Sequence, residues 1–362
     1  MSRKKNTVSV NEILNIKNTI LENGTIPIVN AVDCSTLAKH IFSITGKYIS
    51  DSTLKRFFAF NSSSFAPAYQ TVNILKEYIS IEINKTDSLQ ATADLISDFF
   101  NPIHYEKIDR TDTKLQATCR SIAIHVRKNQ TLFEKVMEPI AKSKFGRIFY
   151  YELFLDYEYL SAYQYKGYEK FLEHEKSYEG KLFGNAALFL KYFFEQNMDQ
   201  IKIHWQKNAM LYNPQKKIHP FVHGRHFKIE LIGSMYFNPS NMNNILDKIF
   251  KIEKLIPRNG KGLFREFPGF HFMVCDGLWH TKNYKQLYAL SKIAIEQFER
   301  TEEFIWKGYY DQLYIYHALG LSMLGEKSEA KKIATTIKPK RFYFTTKAYY
   351  EKLFITLKET LT

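Results

Sequence analysis

Along most of the chain, apolar residues recur at intervals of three and four, the spacing that gathers side chains on one face of an α-helix. Ile13, Ile16, Ile20 and Leu21 form the first such face, and Gly24 and Pro27 close the helix it predicts. A second helix is predicted from Asp33 to Phe42, capped by Asp33 or Ser35, with Leu37, Ile41 and Phe42 buried and Gly46 as its breaker. Ser50 is placed as the N-cap of a third helix in which Leu54, Phe57 and Phe58 face inward. A Ser-rich loop, Asn61 to Ser64, follows. Pro67 then opens a fourth helix at its first turn, where a missing N–H costs nothing, and Val72, Leu75 and Ile79 supply its apolar face. Residues 80–114 read as transitional. A separate helix from Asp87 to Phe100 would carry Leu89, Ala93, Ile96 and Phe100 on one stripe, ended by Asn101-Pro102, and Glu106 to Lys114 reads as a polar linker or a capped helix start.

From about residue 115 the helical period dominates and begins to repeat. Four short stripes start at Ile201, Ile245, Leu287 and Ala330, at separations of 44, 42 and 43 residues. They continue as Trp205 and Ala209; Ile249, Ile252 and Ile256; Leu290, Ala294 and Phe298; and Ile333, Ala334 and Ile337. Each follows another helical stretch and a turn, the last turn being Gly325-Glu326-Lys327-Ser328. A period near 43 fits a two-helix unit that cannot bury its own apolar face and must shelter it against its neighbours. The expected fold is all-α, with residues 1–86 as a small N-terminal domain, 87–114 as a connecting segment and 115–362 as a helical-repeat body.

Two stretches resemble known families. Thr36-Leu37-Ala38, then Ser50-Asp51-Ser52-Thr53-Leu54-Lys55-Arg56, then Pro67 through Ile79 resemble the helix-turn-helix of the Cro/phage-repressor (XRE-type) family over about 50 residues. That resemblance implies a second helix that lies in the major groove. Ser50, Ser52, Thr53, Lys55 and Arg56 would then be the DNA-facing set, the hydroxyls on phosphates or base edges, Lys55 on a phosphate and Arg56 on a guanine edge. Tyr309-Tyr310 through His317-Ala318-Leu319-Gly320, with the turn Leu324 to Ala330, resembles a tetratricopeptide repeat, and the preceding units are similar to it more loosely. Together the two parts resemble peptide-responsive bacterial regulators. The resemblance implies duplex DNA as the partner of the head and a protein or peptide as the partner of an α-solenoid body, in a plan compatible with a homodimer. The rival readings are a scaffold or adaptor whose head is only a helical module, and an RNA-binding repeat protein.

Composition sharpens this picture in part. Aromatic residues make up 15% of the chain, including 24 Tyr and 29 Phe, large side chains that suit the gaps between stacked helices. With only 15 Gly and 10 Pro, the turns of an all-β fold are in short supply. The net charge of +14 invites a polyanion. Residues 1–86 hold 10 Lys and Arg against 6 Asp and Glu, residues 87–114 hold 3 against 6, and the rest 38 against 25. Most of the excess therefore lies in the body, where it reads as a dispersed, solvated charge. Three scattered cysteines, Cys34, Cys119 and Cys275, make neither a disulfide framework nor a metal knuckle and suit a reducing cytoplasm. The basic start lacks the apolar core of a signal peptide, and no apolar run is long enough to span a membrane.

No converging catalytic set is readable, so binding rather than catalysis is expected, with no cofactor. His219, His223 and His226 have a spacing that invites a cation, but no carboxylate falls among them, and Pro220 and Gly224 are expected to interrupt a regular helix there. No metal site is expected from them. Gly260-Lys261-Gly262 lacks the frame of a phosphate-binding loop. Cys275-Asp276 beside His271 or His280 suggests a thiol dyad, against which the apolar run Phe270 to Val274 argues for a buried thiol. The aromatic series Phe149, Tyr150, Tyr151, Tyr157, Tyr159, Tyr163, Tyr165 and Tyr168 is read as packing between helices rather than a base-stacking groove.

Overall fold

The computed structural model describes residues 9–23, 26, 28–60, 67–101, 112–216, 218–256, 268–297 and 307–362. Every regular element among them is helical, and no strand occurs among the described residues. None of these helices is long and apolar enough to cross a membrane. The chain divides into two compact units, Met1–Leu95 and Ile96–Thr362.

The first unit contains α1 (Val10–Asn23), α2 (Asp33–Thr45), α3 (Asp51–Phe57) and most of α4 (Tyr69–Phe99). Their apolar faces meet in one core that includes Ile16, Ile20, Leu37, Ile41, Leu54, Phe57, Phe58, Val72 and Leu75. Two residues expected inside are outside: Leu21 and Phe42 are 44% and 54% exposed. The buried stripe of α2 is Cys34, Leu37, Ala38 and Ile41, and Phe42 lies one residue, about 100° of helix, beyond it. Asp33 does not cap α2; its carboxylate accepts from the N–H groups of Val29 and Asn30, both at 2.8 Å, and so ties down the preceding loop. Gly46 ends α2 in the left-handed conformation at φ 67°, which glycine adopts without strain.

Residues 80–99 correct the expectation of a transitional segment. They belong to α4, which runs without a break from Tyr69 to Phe99. Neither Gly nor Pro occurs between Pro67 and Pro102, so no residue interrupts its hydrogen-bond ladder. Of the rest of the expected connecting segment, residues 102–111 lie outside the described residues, as do Gly24, Pro27, Asn61 to Ser64, Pro257, Phe298 and the Gly260-Lys261-Gly262 sequence, while the Asp112 carboxylate accepts from the Lys114 and Leu115 N–H groups and caps the start of the next helix.

The second unit opens with α5 (Thr113–Val126), α6 (Gln130–Lys142) and the short α7 (Lys144–Gly146). Two π-helical turns, Arg147–Tyr151 and Leu160–Gln164, lead into α8 (Tyr165–His174). Four pairs of helices follow: α9 (Tyr178–Phe194) with α10 (Met198–Leu211), α11 (Pro220–Phe237) with α12 (Met242–Glu253), α13 (Gly269–His280) with α14 (Tyr284–Gln297), and α15 (Lys307–Met323) with α16 (Lys327–Thr336). The last helix is α17 (Lys347–Thr360). Ile201, Ile245, Leu287 and Ala330 are each the fourth residue of the second helix of a pair, and all four are buried. Successive pairs pack in chain order: α9 touches α10 and α11, α11 touches α13, α14 touches α15, and α15 touches α17.

Two details depart from the expected stripes. In α10 the buried residues after Ile201 are His204 and Asn208, and Ala209 is exposed. Gly224 does not break α11, which passes through it, and Pro220 sits in the first turn, where it is tolerated. A Cβ on Gly224 would lie 2.8 Å from the Phe270 carbonyl oxygen, so this glycine lets α11 and α13 approach closely.

Candidate functional site

Two places in the molecule carry chemistry that packing alone does not require. In the first unit it is the outer face of α3. Ser50 has extended backbone geometry, and its hydroxyl accepts from the Thr53 N–H at 3.2 Å, as an N-cap should. The same hydroxyl lies 3.0 Å from that of Ser52 and 2.8 Å from that of Thr53. Lys55 pairs with Asp51 at 3.1 Å across one helical turn, and this pairing draws the Asp51 carboxyl below its usual range. The Arg56 Nε donates to the Ser52 carbonyl at 3.3 Å. Ser52 and Arg56 are exposed, Ser50, Thr53 and Lys55 are half-buried, and Leu54 and Phe57 are buried. The five residues expected to face DNA therefore share one short helix and its cap.

The second place is a cavity of about 80 Å³ inside the second unit, ample for several water molecules or a small organic group. Its walls come from the first π-helical turn and the loop after it, from α9, α11 and α13, and from Tyr309 and Thr346. On α9 the contributors are Phe183, Ala186, Ala187 and Leu190, and on α11 Phe221, Val222, Arg225, Lys228 and Ile229. Both sets follow the spacing of one helical face. The N–H of His219 donates to the Glu179 carboxylate at 3.0 Å, which fastens the start of α11 to α9 beside the cavity.

Below this wall lies a buried polar network. Lys228, only 3% exposed, forms an ion pair with the equally buried Asp276 and reaches the Tyr157 hydroxyl at 3.4 Å. Asp276 also accepts from the hydroxyls of Tyr316 and, at 2.8 Å, Tyr349. His280 lies 2.8 Å from the Tyr349 hydroxyl, and the Tyr316 and Tyr350 hydroxyls are 3.0 Å apart. Burial alone would push the Asp276 carboxyl up, but the charge of Lys228 outweighs it and holds that group at about 2. Both ions stay charged because each is partnered.

Arg225 is treated differently. Its guanidinium lies over the rings of Phe183 and Phe221, 4.5 and 5.2 Å from their centroids. No carboxylate among the described residues is within ion-pair distance of it; Glu152 attracts it only from farther off. Burial works against its positive charge.

The remaining candidates resolve into separate structural roles. His219 caps α11 by accepting from the Phe221 N–H at 3.2 Å. His223 meets the Tyr212 hydroxyl at 2.7 Å, and His226 meets the Asn208 amide at 2.8 Å while its ring stacks on Tyr212. Among the described residues, the three potential metal ligands that converge are Glu138, Glu173 and His174, and Lys170 already pairs with both carboxylates. Cys275 is buried and burial drives its thiol well above the ordinary range. His280 is engaged with Tyr349, and His271 is 3.3 Å from Glu253, so no imidazole is committed to the sulfur. Of the aromatic series, Phe149, Tyr150, Tyr151, Tyr163 and Tyr168 are buried in ring-to-ring packing.

Sequence reasoning missed Arg225 and Lys228, and it named Asp276 only beside Cys275, not as the partner of Lys228. A signal for the first two was present: both fall on the same helical face as Phe221, Val222 and Ile229, and a cation on an otherwise apolar stripe needs a partner or a purpose. Asp276 followed the apolar run Phe270 to Val274 in the same way. Comparison of the chain with protein-family models, with curated proteins and with solved structures gives no match.

Proposed function

We propose that this chain is a DNA-binding transcriptional regulator rather than an enzyme. In this reading α2 and α3 form a helix-turn-helix head that sets α3 in the major groove, and the paired helices of the second unit form a TPR-like solenoid that takes a protein or peptide partner. The observation that carries the head is the two-sidedness of α3. Leu54 and Phe57 anchor it in a core shared with Leu37 and Ile41 of α2, while Ser52 and Arg56 stand exposed on the other side. A helix held in this way can present side chains to a duplex without unfolding its own support. Ser50, Ser52 and Thr53 supply hydroxyls for phosphates, and Lys55 can exchange its exposed Asp51 partner for a phosphate at little cost. The body reading is supported by the recurrence of a buried residue at the fourth position of α10, α12, α14 and α16.

Duplex DNA binding measured across a salt series tests the head. For Lys55→Ala/Arg56→Ala the affinity should fall, the slope of log K against log salt should shrink by about one, near 0.9 for the phosphate that Lys55 no longer neutralises, and discrimination between DNA sequences should relax with the loss of Arg56. Unchanged affinity and slope in a variant that melts like the parent would remove α3 as the reader and leave the adaptor reading.

A further inference from the structure

The cavity in the second unit poses a problem that packing does not solve. A guanidinium taken out of bulk water normally acquires a carboxylate partner, because an uncompensated charge in a low-dielectric site is expensive. Three positions along the same face of α11, Lys228 has such a partner in Asp276. Arg225 has two aromatic rings and no ion-pair partner among the described residues. It lines the cavity and is not sealed beneath it. The surrounding wall is apolar: Phe183, Ala187, Leu190, Val222 and Met273 all border the same space. We infer that the cavity is a binding site for a small apolar monocarboxylate, whose carboxylate pairs with Arg225 and whose hydrocarbon part lies against the walls of α9, α11 and α13.

The charge pattern chooses among anions. Glu152 and Glu179 line the cavity together with Arg225 and Lys228, and Asp276 already neutralises Lys228. A phosphate or other dianion would bring two negative charges to a lining that offers one cation without an ion-pair partner among the described residues. A single carboxylate asks for one cation and finds it. The planar fork of Arg225 can take both carboxylate oxygens, and its position over Phe183 and Phe221 limits how the fork can turn. A free fatty or aryl-alkanoic acid and the C-terminus of a short apolar peptide share this chemistry. The site goes beyond the DNA-binding reading and stands or falls independently of it.

Calorimetric titration of the full chain tests the inference. The probes are octanoate and 4-phenylbutyrate, octanamide as the uncharged counterpart, and Leu-Phe-Leu as free acid and as C-terminal amide. At least one acid should bind, with its amide about 10- to 100-fold weaker, the range expected when one charge-assisted hydrogen bond is missing. Whether octanoate or the tripeptide acid binds more tightly identifies the source of the carboxylate. Arg225→Gln should weaken the acid by the same factor and leave the amide unchanged, and Arg225→Lys should restore part of the affinity. Met273→Trp, at a half-buried wall position, should block acid and amide alike, and it supplies the test should Arg225→Gln not fold. Equal affinity for acids and amides, acid binding indifferent to Arg225→Gln or to Met273→Trp, or no acid binding up to millimolar concentration would each overturn the assignment.

Discussion

The two units handle polar side chains in opposite ways. In the first unit the residues with recognisable chemistry stand on the outside of a helix whose inside is wholly apolar: Ser52 and Arg56 outward, Leu54 and Phe57 inward. In the second unit they are inside. Lys228, Asp276, His204, Asn208 and Asn185 are all buried and hydrogen-bonded: Lys228 to Asp276, His204 to Asn185, and Asn208 to His226 and Glu230. An exposed polar face can be altered without threatening the fold, so selection for a partner acts on it freely. A buried network ties each polar group to stability, so the half-buried Arg225, with no ion-pair partner among the described residues, stands out beside it. The contrast separates an exposed polar helix face in the first unit from an internal cavity in the second.

The sharpest way to break the comparison is to unbalance the buried network. Asp276→Ala leaves the Lys228 ammonium enclosed with only the Tyr157 hydroxyl, and should lower stability by about 3–5 kcal/mol in urea unfolding. The paired change Lys228→Met/Asp276→Leu should recover most of that stability, since it removes both ions and keeps the volume. If the single substitution costs no more than a surface change, the network is not what holds this part of the body.

Acid provides the next test. Burial draws His204 and His317 down to about 4 from an ordinary value of 6.5. The folded state therefore favours the neutral ring. Its full contribution is present above pH 6.5 and is lost as the pH falls from there toward 4, because the unfolded chain takes up the proton first. For His204, buried against Asn185 at 2.8 Å, the loss amounts to roughly 3 kcal/mol. Urea midpoints measured from pH 7.5 to 4 should fall across that window, and His204→Gln should flatten the decline. A decline of the same steepness in the variant would assign the acid sensitivity elsewhere.

The smallest effect is expected in the head. Ser50→Ala removes the N-cap of α3 and should cost about 1 kcal/mol, with Ser50→Gly costing less. Thermal melts of the two variants check the order. A destabilisation as large as that of Asp276→Ala would mean that the hydroxyl cluster at Ser50, Ser52 and Thr53 supports the fold and does not merely decorate a surface.

What could be read beforehand follows the range of the interactions involved. Helical periodicity, the Gly46 stop, the Ser50 cap and the recurring apolar position at Ile201, Ile245, Leu287 and Ala330 are local, because a helix is closed by hydrogen bonds between residues four apart. The same locality misled at Phe42 and Ala209, where one residue of phase separates inside from outside, and at Gly224, where a breaker in isolation became the point at which α13 approaches. The sequence by itself thus determined that the described chain is helical, where α2 and α3 begin, and the recurring buried position of α10, α12, α14 and α16. Only the tertiary structure decided which charges are paired. Lys228 and Asp276 are 48 residues apart, and Arg225 sits three residues from Lys228 without sharing its partner. Coulomb and cavity effects act through space, and the chain carries no local mark of which distant helix will supply, or withhold, the opposite charge.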